Sequence, residues 1–573
     1  MKSMKSIVSI ILLLTIVITS AKADNYLFSN GRAEYDIVVG VDASVSEKTA
    51  ASEFQGYIRQ IGNVTLPIVS QGKARKHVYI GWTEKTGVPR PDDADEGYTY
   101  RTIGDDLYIY GGRDRGTMYG VFAFLERELG VHWYTSTYTK IPRMKQFVLQ
   151  PMEHSERPAI RLRLDFYYDA VRNNDWASHN MINTRLYPAE TKYGYMTATW
   201  GVHTFAQLIP PSVYFKEHPE YFAVYKGKRS DKTQLCLSNE EMCKELTKNF
   251  AKIIRENPGH WCYDVSQNDN RYPCECSKCE KLVAKYGGQS GAMLWFVNRV
   301  AAEIKKVFPD VYVGTLAYQY TRQAPTSTIK PADNVVIRLC DIECCMAHPL
   351  NECERNKTFL RDLDNWNRIT KNVYIWDYTT GFRHYLIPFP NFDVLARNYQ
   401  YLSQSNVIGI LELGSWNAPW SEFSELKQWM IAKLLWNPRL STDSLAALFI
   451  KDYYGSAAPH VQKYYDLCRR QVTADTHFAI NIEWDTELYN DGFLTDADKI
   501  LKKAVAVSRD KETRKRVNRL AAQCYYMQLR RHTIGSVTNG TAQQLIDIMR
   551  NDSTIVRESG IDIDQLMYDM GYH

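Results

Sequence analysis

The 573-residue chain is 45% hydrophobic, 24% charged and 13% aromatic, which supplies a large core and excludes an intrinsically disordered protein. The formal charge is 70 − 65 = +5, and Lys2, Lys5 and Lys22 lie in a leader-like segment; without them the balance is about +2, too small for an electrostatic nucleic-acid binder. At about 150 residues per domain the length allows three or four units, of which one barrel takes two shares.

Residues 1–23 read as a signal peptide: a basic start, an apolar run from Ile7 to Thr19, then the small-x-small pattern Ala21-Lys22-Ala23. No cysteine follows at the cleavage point, and no later stretch is long enough to span a bilayer. The expectation is a secreted or periplasmic protein with no integral membrane segment.

Residues 24–150 alternate short β-like runs (YDIVVGV, HVYIGW, YTYRTIG, LYIYGG) with helices at ASEFQGYIRQIG and after GGRDRG, predicting a small α/β domain. GGRDRG lacks the GxxxxGK[ST] spacing of a phosphate loop, so no nucleotide is expected there. Over 151–440 an apolar strand, a polar loop and a helix recur. The strands are read at IRLRLDF, INTRL, QLCLS, WCYDVSQ, VYVGTLAY, NVVIRLC, NVYIWDY and VIGILEL, the signature of a (β/α)8 TIM barrel. Beyond residue 440 strands almost vanish, and 441–573 reads as a helical C-terminal domain.

In such a barrel the reactive groups follow the strands. Strand four is followed by Asn268 and Asp269, strand five ends in Tyr318, and strand six leads through Asp341 to Glu343. Strand seven ends in Trp376-Asp377-Tyr378, and strand eight carries Glu412 ahead of Trp416. Several carboxylates beside Trp and Tyr platforms suit glycoside hydrolysis, which needs one acid for the leaving oxygen and a second group for the oxocarbenium-like centre. His203 is a further candidate for binding substrate, whereas His218, followed by Pro219, reads as a helix-end residue and His348 stays open.

Ten of the twelve cysteines fall between positions 236 and 353. Cys274, Cys276 and Cys279 hold a structural metal with a fourth ligand such as Cys262, lock the loop by disulfides to Cys340, Cys344 and Cys345, or pack as reduced thiols, and a redox role is less favoured because no thioredoxin-like βαβ pattern accompanies them. No catalytic metal and no cofactor is expected.

The strings PPSVYFKEHPEYFAVYKGKR, DVSQNDN, CECSKC, LAYQYTRQAP, NVVIRLCDIECCMAHPL and AKLLWNP resemble the bacterial domain of unknown function 4838, densely over about 200 to 440. Part of that group is classified as glycoside hydrolase family 163, whose described activity is endo-β-N-acetylglucosaminidase on complex N-glycans. The segment around GGRDRGTMYGVFAFLERELG resembles the domain preceding the barrel in α-glucuronidases. These resemblances imply a glycan or glycoprotein substrate cut in its chitobiose core, with retention through an oxazoline formed by the 2-acetamido group. At the eighth strand the family more often reads GVFEQG, whereas this chain has GILELG, with Leu413 in place of Gln. Placed by strand position, Glu343 is the expected acid/base and Asp269 the acetamido-orienting or stabilising group, with the reverse order of roles and a direct carboxylate pair acting without the acetamido group as alternatives. Tyr318 or Tyr378 would polarise the amide, with Asp377 and Glu412 next in line.

Overall fold

In the computed structural model the described residues are 25–185 and 189–571, so the expected signal peptide lies outside them. The N-terminal unit is a six-stranded mixed sheet in the order 153–156, 98–103, 106–111, 76–80, 35–39, 68–69, covered by helices Val45–Gly62 and Gly116–Arg127. A capping box starts the first helix: the Glu47 N–H donates to Ser44 Oγ at 3.1 Å and the Ser44 N–H to Glu47 Oε2 at 2.8 Å. In the second helix Gly120 lies against Ile109 and Tyr98, where an added Cβ would stand 2.9 Å from Ile109, so the helix approaches the sheet more closely than alanine permits.

Eight parallel strands then form a nearly closed barrel: Leu162–Phe166, Thr184–Arg185, Gly194–Trp200, Cys262–Asp264, Tyr312–Ala317, Val335–Cys340, Val373–Tyr378 and Val407–Leu413. Among the described residues strands one and two share no ladder; Asn183 bridges the seam, its Oδ1 accepting the Arg163 N–H at 2.8 Å and its Nδ2 donating to Arg161 O at 2.7 Å. Strand three differs from the sequence expectation, because QLCLS is not a barrel strand. Its backbone pairs locally, Cys236 N–H to Tyr221 O at 2.8 Å, and the β-branched run ending in Trp200 supplies the third strand. The apolar character of QLCLS reflects burial beneath a thiol cluster rather than sheet formation.

Side chains alternate along each strand. Leu162, Leu164, Cys262, Val336, Tyr374 and Leu411 meet in the lumen, whereas Ile337, Leu339, Val373, Ile375 and Ile410 join the larger core with the helices. Nearer the C-terminal end of the lumen Arg338 and Asp264 form a buried ion pair at 3.4 Å, and Ser266 donates to the same aspartate.

The N-terminal unit is tied to the barrel by ion pairs and hydrogen bonds: Arg163 to Glu96 at 2.7 Å, Lys433 to Glu126 at 2.7 Å, and Trp436 Nε1 to Glu156 at 3.0 Å. The C-terminal helices, from Thr442–Tyr454 to Ile563–Asp569, also meet the N-terminal unit, where Tyr134 Oη donates to Asp452 Oδ2 at 2.9 Å and Tyr138 Oη to Asp452 O at 3.0 Å. Two of their connections run back over the loops after strands six to eight: Met346 N–H donates to Phe478 O at 2.9 Å, Phe382 N–H to Ile480 O at 3.0 Å, and Tyr385 N–H to Val556 O at 2.8 Å.

Candidate active site

Asp269, Tyr318 and His203 come together at the C-terminal mouth of the barrel. Tyr318 Oη donates to Asp269 Oδ1 at 3.2 Å, and its ring meets His203 edge-on at 5.6 Å. Burial, with the Asp269 charge beside it, pushes the Tyr318 phenol up, so it stays a hydrogen-bond donor across the neutral range. His203 sits at φ +54°, a left-handed conformation held by its N–H to Ser266 Oγ at 3.0 Å. Its Nδ1 lies 2.8 Å from Gln267 O, and since a carbonyl only accepts, Nδ1 carries the proton and Nε2 is left as the acceptor.

Asn268 has a different job from the expected one. Its Oδ1 accepts the Ala206 N–H at 3.0 Å, its Nδ2 donates to Thr233 O at 3.0 Å, and its N–H donates to Gln234 Oε1 at 2.8 Å, so it braces the loop that presents Asp269. Glu343 is exposed at the strand-six loop and accepts from Arg322 Nη1 at 2.9 Å, while the same guanidinium holds buried Asp362 at 2.9 Å. The guanidinium thus bridges two carboxyls, Nη1 to Glu343 and Nε to Asp362, and fixes the Glu343 side chain at the loop.

Parity separates the strand-seven and strand-eight residues. Tyr374, Trp376 and Leu413 join the lumen cluster, and the half-buried Trp376 has an indole N–H without a hydrogen-bond partner among the described residues. Tyr378 shares their face of strand seven. Asp377 and Glu412 sit at the alternate positions and point into the helix layer, only 3% and 0% exposed, with Asp341 and Asp165 at the same level. There Tyr399, from helix Phe392–Gln404, contacts Glu412. Burial raises all four carboxyls, Asp377 to about 6, and the repulsion of neighbouring carboxyls adds to it for Asp341, Glu412 and Asp165. The row therefore shares protons behind the wall of the barrel and is out of reach of a ligand in the mouth.

Sequence reasoning missed one mouth acid. Glu558, on the segment after the last long helices, accepts from Trp416 Nε1 at 3.5 Å, and the Trp416 ring lies 5.9 Å from that of Phe166. Burial, and beyond it the charge of Asp269, raise the Glu558 carboxyl. No local pattern marks this glutamate, because the chain brings it to the mouth from about 140 residues past strand eight.

The thiols also depart from the expected pairings. The fourth partner of Cys274, Cys276 and Cys279 is Cys236, not Cys262, which is buried in the lumen beside Arg338. All twelve cysteines are free, so the disulfides to Cys340, Cys344 and Cys345 do not form. His218 is exposed and bonded to Glu220 at 3.1 Å, remote from a metal role.

The family model of the domain of unknown function DUF4838 matches residues 133–466. The chain belongs to this family. No curated protein sequence matches it. Among solved structures, a 4-O-methyl-α-glucuronidase with specificity for decorated arabinogalactans is similar in fold, with a TM-score of 0.59 at 12% identity over 91% of this chain and 76% of that one. Looser likenesses include a Flavobacterium johnsoniae chitobiase (TM-score 0.46, 10% identity, 92% and 94% covered) and a β-N-acetylhexosaminidase from Bacteroides fragilis (0.44, 12%, 74% and 92%). The DUF4838 barrel thus shares its architecture with a glycoside hydrolase at an identity that speaks for fold alone.

Proposed function

We propose that this DUF4838 protein is a secreted or periplasmic endo-β-N-acetylglucosaminidase that cleaves the chitobiose core of N-glycans with retention. The observation that carries this reading is the mouth itself: Asp269 held by a Tyr318 hydroxyl, a second carboxyl at Glu558 raised by partial desolvation and by the charge of Asp269, and aromatic walls at Trp376, Trp416 and Phe166. The sequence resemblance to the N-glycan-cleaving group supplies the substrate class.

On binding, Asp269 orients the 2-acetamido group by accepting its N–H, and the Tyr318 hydroxyl turns its one proton from Asp269 to the acetamido carbonyl. The carbonyl oxygen bonds to the anomeric carbon as the bond to the leaving oxygen breaks, and the acid delivers its proton to that oxygen. Water then attacks the anomeric carbon, gives its proton back to the acid, and opens the oxazoline. Of the two glutamates at the mouth, Glu558 fits the proton-holding role better than Glu343, whose partner is Arg322. Glu343 then serves as a polar subsite wall.

The experiment is mass spectrometry of glycans released from a complex-type glycoprotein by the native protein and by Asp269→Asn, Glu343→Gln and Glu558→Gln. The reading expects products ending in one reducing GlcNAc, inhibition by a thiazoline analogue of the oxazoline, and loss of release in Asp269→Asn and Glu558→Gln. Undiminished release by Glu558→Gln with loss in Glu343→Gln would return the acid role to Glu343. Glycan binding without release from any glycoprotein would overturn the enzyme.

A further inference from the structure

Two clusters outside the mouth have the dimensions of single-metal sites. In the first, Cys236 Sγ lies 3.7 Å from Cys276 Sγ and 3.8 Å from Cys279 Sγ, and all four sulfurs, including Cys274, lie within 4.8 Å of one another. A zinc–sulfur bond of about 2.3 Å makes the edge of a regular tetrahedron about 3.8 Å, whereas a disulfide needs about 2.05 Å. The surroundings suit thiolates. The Val224 N–H donates to Cys274 Sγ at 3.3 Å, Ser238 Oγ lies 3.2 Å from Cys279 Sγ, and Cys276 and Cys279 sit at the N-terminus of helix Ser277–Tyr286, where the helix dipole favours negative charge.

The second cluster joins two domains. Cys345 Sγ is 3.7 Å from His348 Nδ1 and 3.3 Å from His477 Nδ1, and Cys353 Sγ is 3.7 Å from His477 Nδ1. With zinc–sulfur and zinc–nitrogen bonds of about 2.3 and 2.05 Å, the sulfur-to-nitrogen edge of a tetrahedron is about 3.6 Å, the middle of these separations. His348 Nε2 lies 3.0 Å from Thr473 O and so carries the proton, leaving the Nδ1 lone pair aimed at the cluster. Buried Asn356 fixes the Cys345 backbone from both sides, accepting its N–H at 2.7 Å and donating to its carbonyl at 3.1 Å.

We propose that the protein holds two structural zinc ions, one on Cys236, Cys274, Cys276 and Cys279 and one on Cys345, His348, Cys353 and His477. Both ligand sets are complete at four, with no open position for water or substrate, which assigns them to structure rather than to the reaction. Each ion staples a loop that carries a mouth carboxylate: Cys274 lies five residues past Asp269, and Cys345 two residues past Glu343. His477 comes from the C-terminal domain, so the second ion ties that domain to the strand-six loop.

Inductively coupled plasma mass spectrometry of the full chain, purified from zinc-supplemented medium without chelator, tests this. Two zinc ions per chain are expected. His477→Ala should lower the content to one, His477→Cys should restore two, and Cys274→Ser with Cys279→Ser should also leave one. Cobalt replacement gives a second readout that needs no variant: thiolate-to-cobalt charge-transfer bands expected of six sulfur ligands in two tetrahedral sites. A chain carrying no metal and binding no cobalt, or an intact mass showing disulfides among these cysteines, would overturn the proposal. So would two zinc ions retained in His477→Ala.

Discussion

Lys427→Met tests the assignment of a buried ion pair as the support beneath the loops after strands seven and eight. Lys427 and Glu422 are both fully buried, and the Nζ donates to Glu422 Oε1 at 2.6 Å, Phe389 O at 2.7 Å and Thr379 O at 3.0 Å. Burial raises the Glu422 carboxyl to about 7 and lowers the Lys427 amine, so each group relies on the other for its charge. When methionine removes the ammonium, the two carbonyls keep other donors: the Asn391 N–H at 2.9 Å from Phe389 O, and Tyr167 Oη at 3.3 Å from Thr379 O. Glu422 keeps only the Thr380 hydroxyl and the Phe389 N–H, both at 3.2 Å. Methionine nearly fills the lysine stem, so the loss falls on the stranded carboxylate, and removing one partner of a buried pair costs about 3 to 5 kcal/mol. Urea unfolding followed by tryptophan fluorescence, with Trp420 and Trp429 nearby in the core, should show that loss at neutral pH. Lys427→Met with Glu422→Met removes both charges and should recover at least half of it. A single variant costing less than about 1 kcal/mol, or a double variant no more stable than the single, would refute the reasoning.

Three further outcomes follow from the same physics. Asp377 holds its proton in the folded chain up to about pH 6 but releases it near 3.8 when unfolded, so the folded state binds more protons in that window and stability falls as pH rises through it. Asp377→Asn removes that fall, worth about 3 kcal/mol between pH 4 and 7 at about 1.4 kcal/mol per pH unit; unfolding curves of the two proteins that run parallel with pH would contradict it. Tyr318→Phe deletes the hydroxyl bonded to Asp269 and should slow glycan release about 10- to 100-fold at unchanged thermal stability, measured by release kinetics and calorimetry. Gly314→Ala puts a Cβ 2.6 Å from Asp264 Oδ1 in the packed lumen and should cost about 1 to 3 kcal/mol, read as a lowered melting temperature.

By itself the sequence determined the barrel, its flanking α/β and helical units, and seven of the eight strands, because apolar runs of strand length separated by helices leave few other folds. It also placed Asp269, Tyr318 and Trp376 at strand ends, since chain order and strand order coincide there. What it left open is which face each strand-end residue uses. A parallel barrel strand is buried on both sides, so VYIWDY shows no polar alternation, and only the ladder puts Trp376 inside and Asp377 among the helices. Long-range meetings were equally hidden. Cys236 reaches Cys276 across 40 residues, His477 reaches Cys353 across 124, and Glu558 reaches Trp416 across 142. Loop closure over such lengths is decided by the packing of whole domains, and no local residue pattern records it.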